Sequence, residues 1–428
     1  MTGDRVSRIG EMVELTVDSP AAGGACVARA DDGRVVFVRH SLPGERVRAV
    51  FTAQTTGYYR ADAVEVLLAS PDRVTPPCPY AGPGRCGGCD WQHVDIAAQR
   101  LLKAQLVAEQ LRRTARTELE VVVEPVPGAD DGLGWRTRVQ FAVSHDGRPG
   151  LRRHRSHDLE HVERCLIAAP GVDAVAVPQH RWYAAGQVEA ATTSDGAQRV
   201  VSVERGGRGR PRVPAVDAGV VVDGVPVSVP HGLHHTVLGR GFEVAAGGFW
   251  QVHVGAAPLL VAAVLAALEP RPGERALDLY AGVGLFAAHL GEAVGQTGRV
   301  VAVESSPRAC ADAARNTFDQ PQVSIRTASV DAELVAREGG ADRGDRFDLV
   351  VLDPPRSGAG LEVARALARL RPRRIAYVSC EAASFARDAR VLLDAGWTMP
   401  SLRAFDAYPM TEHVELLAVF EPGSPEQS

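Results

Sequence analysis

Hydrophobic positions change rhythm twice along this chain. Up to about Leu68 they come in short β-like runs, such as Val35-Val36-Phe37-Val38 and Arg46-Val47-Arg48-Ala49-Val50-Phe51, separated by Gly and Pro. The connector Ser41-Leu42-Pro43-Gly44-Glu45 has turn chemistry, and a small β-barrel is expected for residues 1–68. A Pro-rich joint, Thr75-Pro76-Pro77, opens a middle segment, 69–255, with one helical stretch (Ile96 to Arg113) among β-like segments. An exposed loop is expected at Gly206–Arg212. From Ala256 the pattern becomes strand, helix, strand. Apolar strands are predicted at Arg275–Leu279, Arg299–Glu304, Val323–Thr327, Phe347–Leu352 and Arg374–Ser379. Ala- and Leu-rich helical stretches lie between them, as at Gly360–Leu370 and Phe385–Ala395. Such alternation predicts an α/β, doubly wound parallel sheet over 256–428. A last strand, Glu415–Phe420, is expected to pair antiparallel at its edge.

Composition narrows the class without naming a chemistry. With 428 residues, 45% of them hydrophobic, two or three domains with real cores are expected. No apolar run reaches the length of a membrane span, and Met1–Arg5 lacks the apolar stretch of a secretory signal. A cytoplasmic protein without structural disulfides is the expectation. A formal charge of -5 argues against a uniformly basic surface, though a local basic face suffices for nucleic acid. Lys103 is the one lysine; the remaining bases are arginine, the side chain suited to forked phosphate contacts.

Candidate chemistry concentrates in the strand–helix region. Ala276-Leu277-Asp278-Leu279-Tyr280-Ala281-Gly282-Val283-Gly284 reads as strand, glycine turn and helix start. Gly282 and Gly284 allow close approach of a ligand to backbone, and Glu304 ends the next strand, where a carboxylate can accept ribose hydroxyls. The third glycine of a pyrophosphate cradle is missing, which favours S-adenosylmethionine (SAM) over NAD. Asp353-Pro354-Pro355-Arg356 carries a carboxylate on a loop stiffened by two prolines. Cys380 closes the apolar run Arg374–Ser379, a position open to two readings, a nucleophile at a strand end or a small buried hydrophobe. Cys78, Cys86, Cys89 and the distant Cys165 suggest a metal site in a reducing compartment, with zinc and a 4Fe–4S cluster both compatible with the spacing. Cys26 and Cys310 read as packing residues.

Taken together, these residues resemble the RNA 5-methyluridine methyltransferase family, SAM-dependent enzymes acting on bacterial 23S rRNA and tRNA. The resemblance spans nearly the whole chain. Asp32–Val38 and Leu42–Glu45 resemble a TRAM domain, an RNA-binding OB-like barrel; the four cysteines, ending in Cys165-Leu166-Ile167-Ala168-Ala169-Pro170, resemble the family's 4Fe–4S site. Phe249-Trp250-Gln251-Val252 resembles its entry to the SAM pocket, and Val378-Ser379-Cys380 and His413-Val414-Glu415 resemble its nucleophile and general base. The resemblance implies catalysis by Cys380 and Glu415, and SAM contacts from Gln251, Tyr280, Gly282, Gly284, Glu304 and Asp353. It also implies RNA contacts from Arg136, Arg138, Arg152, Arg153, Arg155 and Arg356. A target uridine would be flipped into the pocket by a monomeric enzyme, with 23S rRNA favoured over tRNA. Three positions depart from the family pattern: His253 and Leu285 stand where Asn is usual, and Glu381-Ala382 where Asn-Pro follows the nucleophile. Rival readings are a cytosine-5 methyltransferase, and an RNA-binding iron–sulfur or zinc protein with a vestigial catalytic domain.

Overall fold

The computed structural model describes residues 7–207, 209–338 and 346–423. Met1–Arg5 and Arg208 of the expected loop lie outside the described residues; the loop's neighbours Gly207 and Gly209 are exposed.

Five strands close a barrel in the order β1-β2-β3-β5-β4: β1 (Met12–Ala21), β2 (Ala25–Arg29), β3 (Val35–Arg39), β4 (Arg46–Gln54) and β5 (Tyr58–Leu68). Alternate side chains of β4 and β5 point inward, and Val36, Val38, Val47, Ala49, Phe51 and Tyr59 fill the interior. Leaving the barrel, Arg73 makes a two-pronged bond to the fully buried Glu45. Glu45 also accepts the backbone N–H groups of Leu42 and Ser70, so its charge is fully compensated and the exit is fixed.

The chain then forms α1 (Ile96–Gln110), started by the Asp95 carboxylate, which accepts from the N–H groups of Ala97 and Ala98. It runs on as one wider turn, Leu111–Ala115, into the short β6 (Val123–Pro125). A seven-stranded sheet follows, built from β7 (Arg138–Val143), β8 (Pro149–Arg152), β9 (Leu159–Glu160), β10 (Ala185–Thr192), β11 (Arg199–Arg205), β12 (Gly219–Val222) and β13 (Val225–Ser228). One turn of helix, α2 (Pro170–Asp173), packs on β10, and a hairpin of β14 (Gly232–Val237) and β15 (Arg240–Ala245) leads into α3 (Ala256–Leu268).

The third unit is an eight-stranded sheet in the order β18-β17-β16-β19-β20-β22-β21-β6. Its strands are β16 (Arg275–Leu279), β17 (Arg299–Glu304), β18 (Val323–Thr327), β19 (Leu349–Leu352), β20 (Arg374–Ser379), β21 (Trp397–Asp406) and β22 (Glu415–Pro422). Helices α4 (Leu285–Val294), α5 (Pro307–Asn316), α6 (Ala332–Glu338), α7 (Leu361–Leu370) and α8 (Ala382–Asp394) connect them. Strands β16, β19 and β20 are apolar on both faces because separate cores cover each face, one with α3 and α4, the other with α1, α7 and α8. This is the doubly wound sheet expected from the sequence.

Three details differ from expectation. Strand β22 is not an edge strand: it pairs with β20 on one side and β21 on the other. Strand β21 was not foreseen, and β6, more than 270 positions earlier, pairs parallel with it as the last strand (Arg403 also bonds Glu124, 279 positions away). Strand β19 begins at Leu349 because Asp348 instead accepts the backbone N–H of Arg275 through its side chain.

Candidate active site

Strand order reverses between β16 and β19, so the carboxyl ends of neighbouring strands splay there and leave a crevice. A cavity of about 1050 Å³ occupies this place. Tyr280 leaves β16 with φ +62°, a strained value for a residue bearing a side chain, and turns the backbone into Gly282 (φ +53°) and Gly284 (φ +84°). A Cβ at Gly284 would lie 3.3 Å from Ala313 of α5, so this glycine lets two helices pack; around Gly282 nothing lies within 4 Å, leaving its backbone open to a ligand. Glu304 accepts the N–H of Gly282 at 3.0 Å and that of Ser306 at 2.7 Å. It ties the turn to β17 and keeps lone pairs free for further donors. Buried Gln251 reaches across the cavity to Asp353 at 3.3 Å. All six expected SAM contacts except the helix-packing Gly284 line this one cavity.

Cys380 and Glu415 line it as well. They come from adjacent antiparallel strands, one step beyond the register pair Ser379 and Leu416, which brings thiol and carboxyl to the same end of the sheet. Burial pushes the Cys380 thiol up to about 12, helped by the negative charge of Glu415 and Asp353 and opposed by Arg356. The Glu415 carboxyl is raised well above its ordinary range by burial and by Asp353, against a hydrogen bond from the Tyr408 hydroxyl at 2.8 Å. Asp353 sits at about 6, raised by burial. Three acidic groups thus line one cavity, and each is held toward its protonated form by burial.

Two residues here carried no assigned role in the sequence reading. Tyr408 sits in the loop between β21 and β22, where nothing periodic marks it, and His413 lies beside it with ring centroids 6.1 Å apart. Burial pushes the His413 imidazole down to about 4, so it is neutral near pH 7. Burial raises the carboxyl of Asp278, beneath the glycine turn, well above its ordinary range, against the backbone N–H of Ala287.

Cys78, Cys86, Cys89 and Cys165 line a second cavity, of about 290 Å³, adjoining the first. All are unpaired and half-buried. Among the described residues no three donors converge closely enough for a single metal ion. Burial raises Cys86 and Cys89 and pushes Cys165 up to about 11, so binding a cationic centre would displace protons. Gly87 is required here, since a Cβ would come within 2.7 Å of the His154 backbone. Cys26 and Cys310 are buried packing residues, as expected.

The arginines separate. Arg136 lines both cavities. Arg138 is half-buried and paired with Glu189 at 3.2 Å. Arg153 is exposed but paired with Glu160 at 3.2 Å, while Arg152, Arg155 and Arg356 are exposed without a carboxylate partner among the described residues. No helix among the described residues is long and apolar enough to cross a membrane.

Sheet order, glycine turn and crevice define a methyltransferase of the SAM-dependent fold, with a barrel placed ahead of it. Residues 6–64 match the TRAM domain family, and residues 248–334 match the protein-L-isoaspartate(D-aspartate) O-methyltransferase family. The chain belongs to the RNA uracil-C5 methyltransferase family and is an enzyme of that class. It is 32% identical to the 23S rRNA (uracil(1939)-C(5))-methyltransferase RlmD of Chromohalobacter salexigens, over 96% of this chain and 90% of that protein. It is 46% identical to an uncharacterized RNA methyltransferase of Streptomyces avermitilis, over 97% of this chain and 99% of that protein. Its fold matches the Pyrococcus abyssi tRNA (uracil-54, C5)-methyltransferase, solved in complex with S-adenosyl-L-homocysteine, with a TM-score of 0.70 at 21% identity, over 95% of this chain and 100% of that one.

Proposed function

We propose that this enzyme methylates carbon 5 of a uridine in 23S rRNA through a covalent bond between Cys380 and carbon 6. The observation that carries the reading is the pairing of Cys380 and Glu415 at one end of adjacent strands, facing the crevice of the glycine turn. The choice of 23S rRNA rests on the RlmD relatives and is the finer part of the proposal.

Carbon 5 of uracil is a poor nucleophile. Attack of the Cys380 sulfur on carbon 6 breaks the carbon 5–carbon 6 π bond, and its electron pair passes into an enolate that makes carbon 5 nucleophilic. SAM supplies the methyl group and, in its sulfonium, a positive charge. Gln251 and Asp353 would hold its amino acid portion, Glu304 its ribose, and Tyr280 and Gly282 its adenosine beside the turn; Gly284 keeps that turn packed on α5. A positive charge beside Asp353 favours ionised Asp353 and Glu415 and draws the thiol down toward thiolate. After methylation Glu415 takes the carbon 5 proton, the double bond reforms, and the pair of the carbon 6–sulfur bond leaves with Cys380. Arg356 would hold the flipped base, and Arg136, Arg152 and Arg155 the phosphates, with the barrel as a second RNA platform. Cys78, Cys86, Cys89 and Cys165, which line the adjoining cavity, would hold a 4Fe–4S cluster. A cytoplasmic monomer suits this substrate.

RNA bearing 5-fluorouridine at the target tests the reading, since fluorine cannot leave as a proton does. A covalent complex is expected with the native enzyme and none with Cys380→Ala; a complex retained by that variant overturns the assignment. Mass spectrometry of rRNA and tRNA from a strain lacking the protein is expected to show the missing methyl in 23S rRNA, and a loss confined to tRNA would overturn that choice.

A further inference from the structure

The loop from Ala407 to Val414 contains a hydroxyl-bearing side chain directed at Glu415. Tyr408 lines the crevice, and its hydroxyl donates to Oε2 of Glu415 at 2.8 Å. Oε1 of Glu415 has no partner among the described residues. The two oxygens of one carboxyl are therefore inequivalent: one is held by a hydrogen bond, the other is buried at the crevice wall with no partner among the described residues.

Tyr408 is itself held from several sides. Its carbonyl accepts Lys103 Nζ at 3.0 Å and the Thr411 hydroxyl at 2.8 Å. Lys103 is fully buried and pairs with Asp406 at 2.6 Å. The Tyr408 ring meets Trp135 edge-on at 6.3 Å and His413 at 6.1 Å. A side chain braced in this way cannot follow a moving carboxyl; it fixes where the carboxyl sits.

We propose that Tyr408 is a positioning residue that reserves Oε2 of Glu415 and leaves Oε1 as the acceptor of the carbon 5 proton, with the buried Lys103–Asp406 pair as its anchor. The proposal rests on Glu415 as the base. In the step concerned the carbon 5–hydrogen bond breaks, the proton goes to Oε1, its electron pair forms the carbon 5–carbon 6 double bond, and the carbon 6–sulfur pair returns to Cys380. Tyr408 gives up no proton; its hydrogen bond favours the ionised carboxyl before the step. The other charged or titratable groups around Glu415 are Asp353 on the loop after β19, Cys380 at the end of β20, Arg356, and neutral His413. Asp353 opposes ionisation of Glu415, so a neutral donor on Oε2 acts against it. Burial keeps the Tyr408 hydroxyl protonated, so the donor persists across the working pH range.

The test follows the covalent complex on ordinary RNA with labelled SAM. For Tyr408→Phe, methyl transfer into the complex is expected at the native rate, while release of product slows about tenfold near neutral pH. The acid limb of product release is expected about one unit higher, the equivalent of one hydrogen bond to a charged group. A fluorotyrosine at 408, a stronger donor that keeps ring and hydroxyl, is expected to move the limb the other way. Limbs that coincide for Phe, Tyr and fluorotyrosine would overturn the proposal. Glu415→Gln, run alongside, separates the two failures: normal turnover there removes the base itself, whereas a blocked Glu415→Gln with an unshifted Tyr408→Phe removes only the role given to Tyr408.

Discussion

Cys380 and the four cysteines of the neighbouring cavity have similar burial and opposite company. Burial raises the thiol at Cys380 as it does at Cys89 and Cys165. Around Cys380 the neighbours are ionisable side chains that a cationic co-substrate can retune, namely Asp353, Glu415 and Arg356. Around Cys86, Cys89 and Cys165 they include the other thiols, which raise them further, while Arg136, Gln92 and backbone N–H groups only partly offset their burial. Burial of a thiol therefore does not decide between attack and ligation. The surrounding charges do, and on the proposed roles they keep the two adjoining cysteine sites distinct.

The sharpest way to break this comparison is to remove one thiol from each side. Cys380→Ala should lower turnover by at least about 10³-fold, as loss of a catalytic nucleophile does, while leaving visible iron–sulfur absorbance intact in anaerobically purified protein. Cys89→Ser should do the reverse to the spectrum, abolishing it. Exchange of those spectral outcomes would show that the two sites had been misassigned.

The link between the sites is the next target. Backbone N–H groups of Asp90 and Trp91, directly after Cys89, both donate to the carbonyl of Met410 at 3.0 Å, and Lys103 anchors the same loop. Lys103→Met leaves the buried Asp406 with only Arg100, at 3.3 Å, and should cost about 3 kcal/mol in urea unfolding. Adding Asp406→Leu should recover most of that loss.

A smaller effect concerns Asp353. With a pKa near 6 in the folded chain and about 3.9 when unfolded, it binds its proton more tightly when folded. Stability from this group is present below about pH 4 and is lost as pH rises through 6. Asp353→Asn should therefore be roughly 2–3 kcal/mol more stable than the native protein at pH 8, equal to it at pH 4, and weaker in SAM binding by calorimetry. The smallest change is expected at the surface. Arg152→Ala and Arg155→Ala should each weaken RNA binding a few-fold and reduce the salt slope by about one, and Arg138→Ala should leave the slope unchanged because Glu189 already neutralises it.

Much of this was legible before any coordinates. The bounds of β16, β17 and β20 follow from largely apolar runs, since strands buried on both faces have little polar side to confuse the pattern; β18, half-exposed, is read from its place in the strand–helix alternation. Cys380 and Asp353 were found because they end such runs. Strand β21 was missed because Thr398, Pro400, Ser401 and Arg403 interrupt it, and its register with β22 slips between Thr398 and Ser401. Strand β6 has three residues, too few for any period. Tyr408 was missed for a different reason: its importance is one hydrogen bond formed across a loop, which leaves no trace in composition. The pairing of Arg138 with Glu189 depends on the register of β7 and β10, equally invisible in spacing.

The edge position of β6 has a consequence for synthesis. Arg403 of β21 bonds Glu124 of β6 across 279 positions, so β6 emerges from the ribosome long before a partner exists. It must wait, with α1, for the last hairpin. That hairpin also delivers Glu415 and the Tyr408 loop, and β22 enters the sheet between β20 and β21. The barrel can close early, from contacts within its own 68 residues or fewer, but catalytic competence arrives only with the final strands. A nascent chain stalled before β21 would carry a closed barrel and the glycine turn, but neither Glu415 nor the Tyr408 loop.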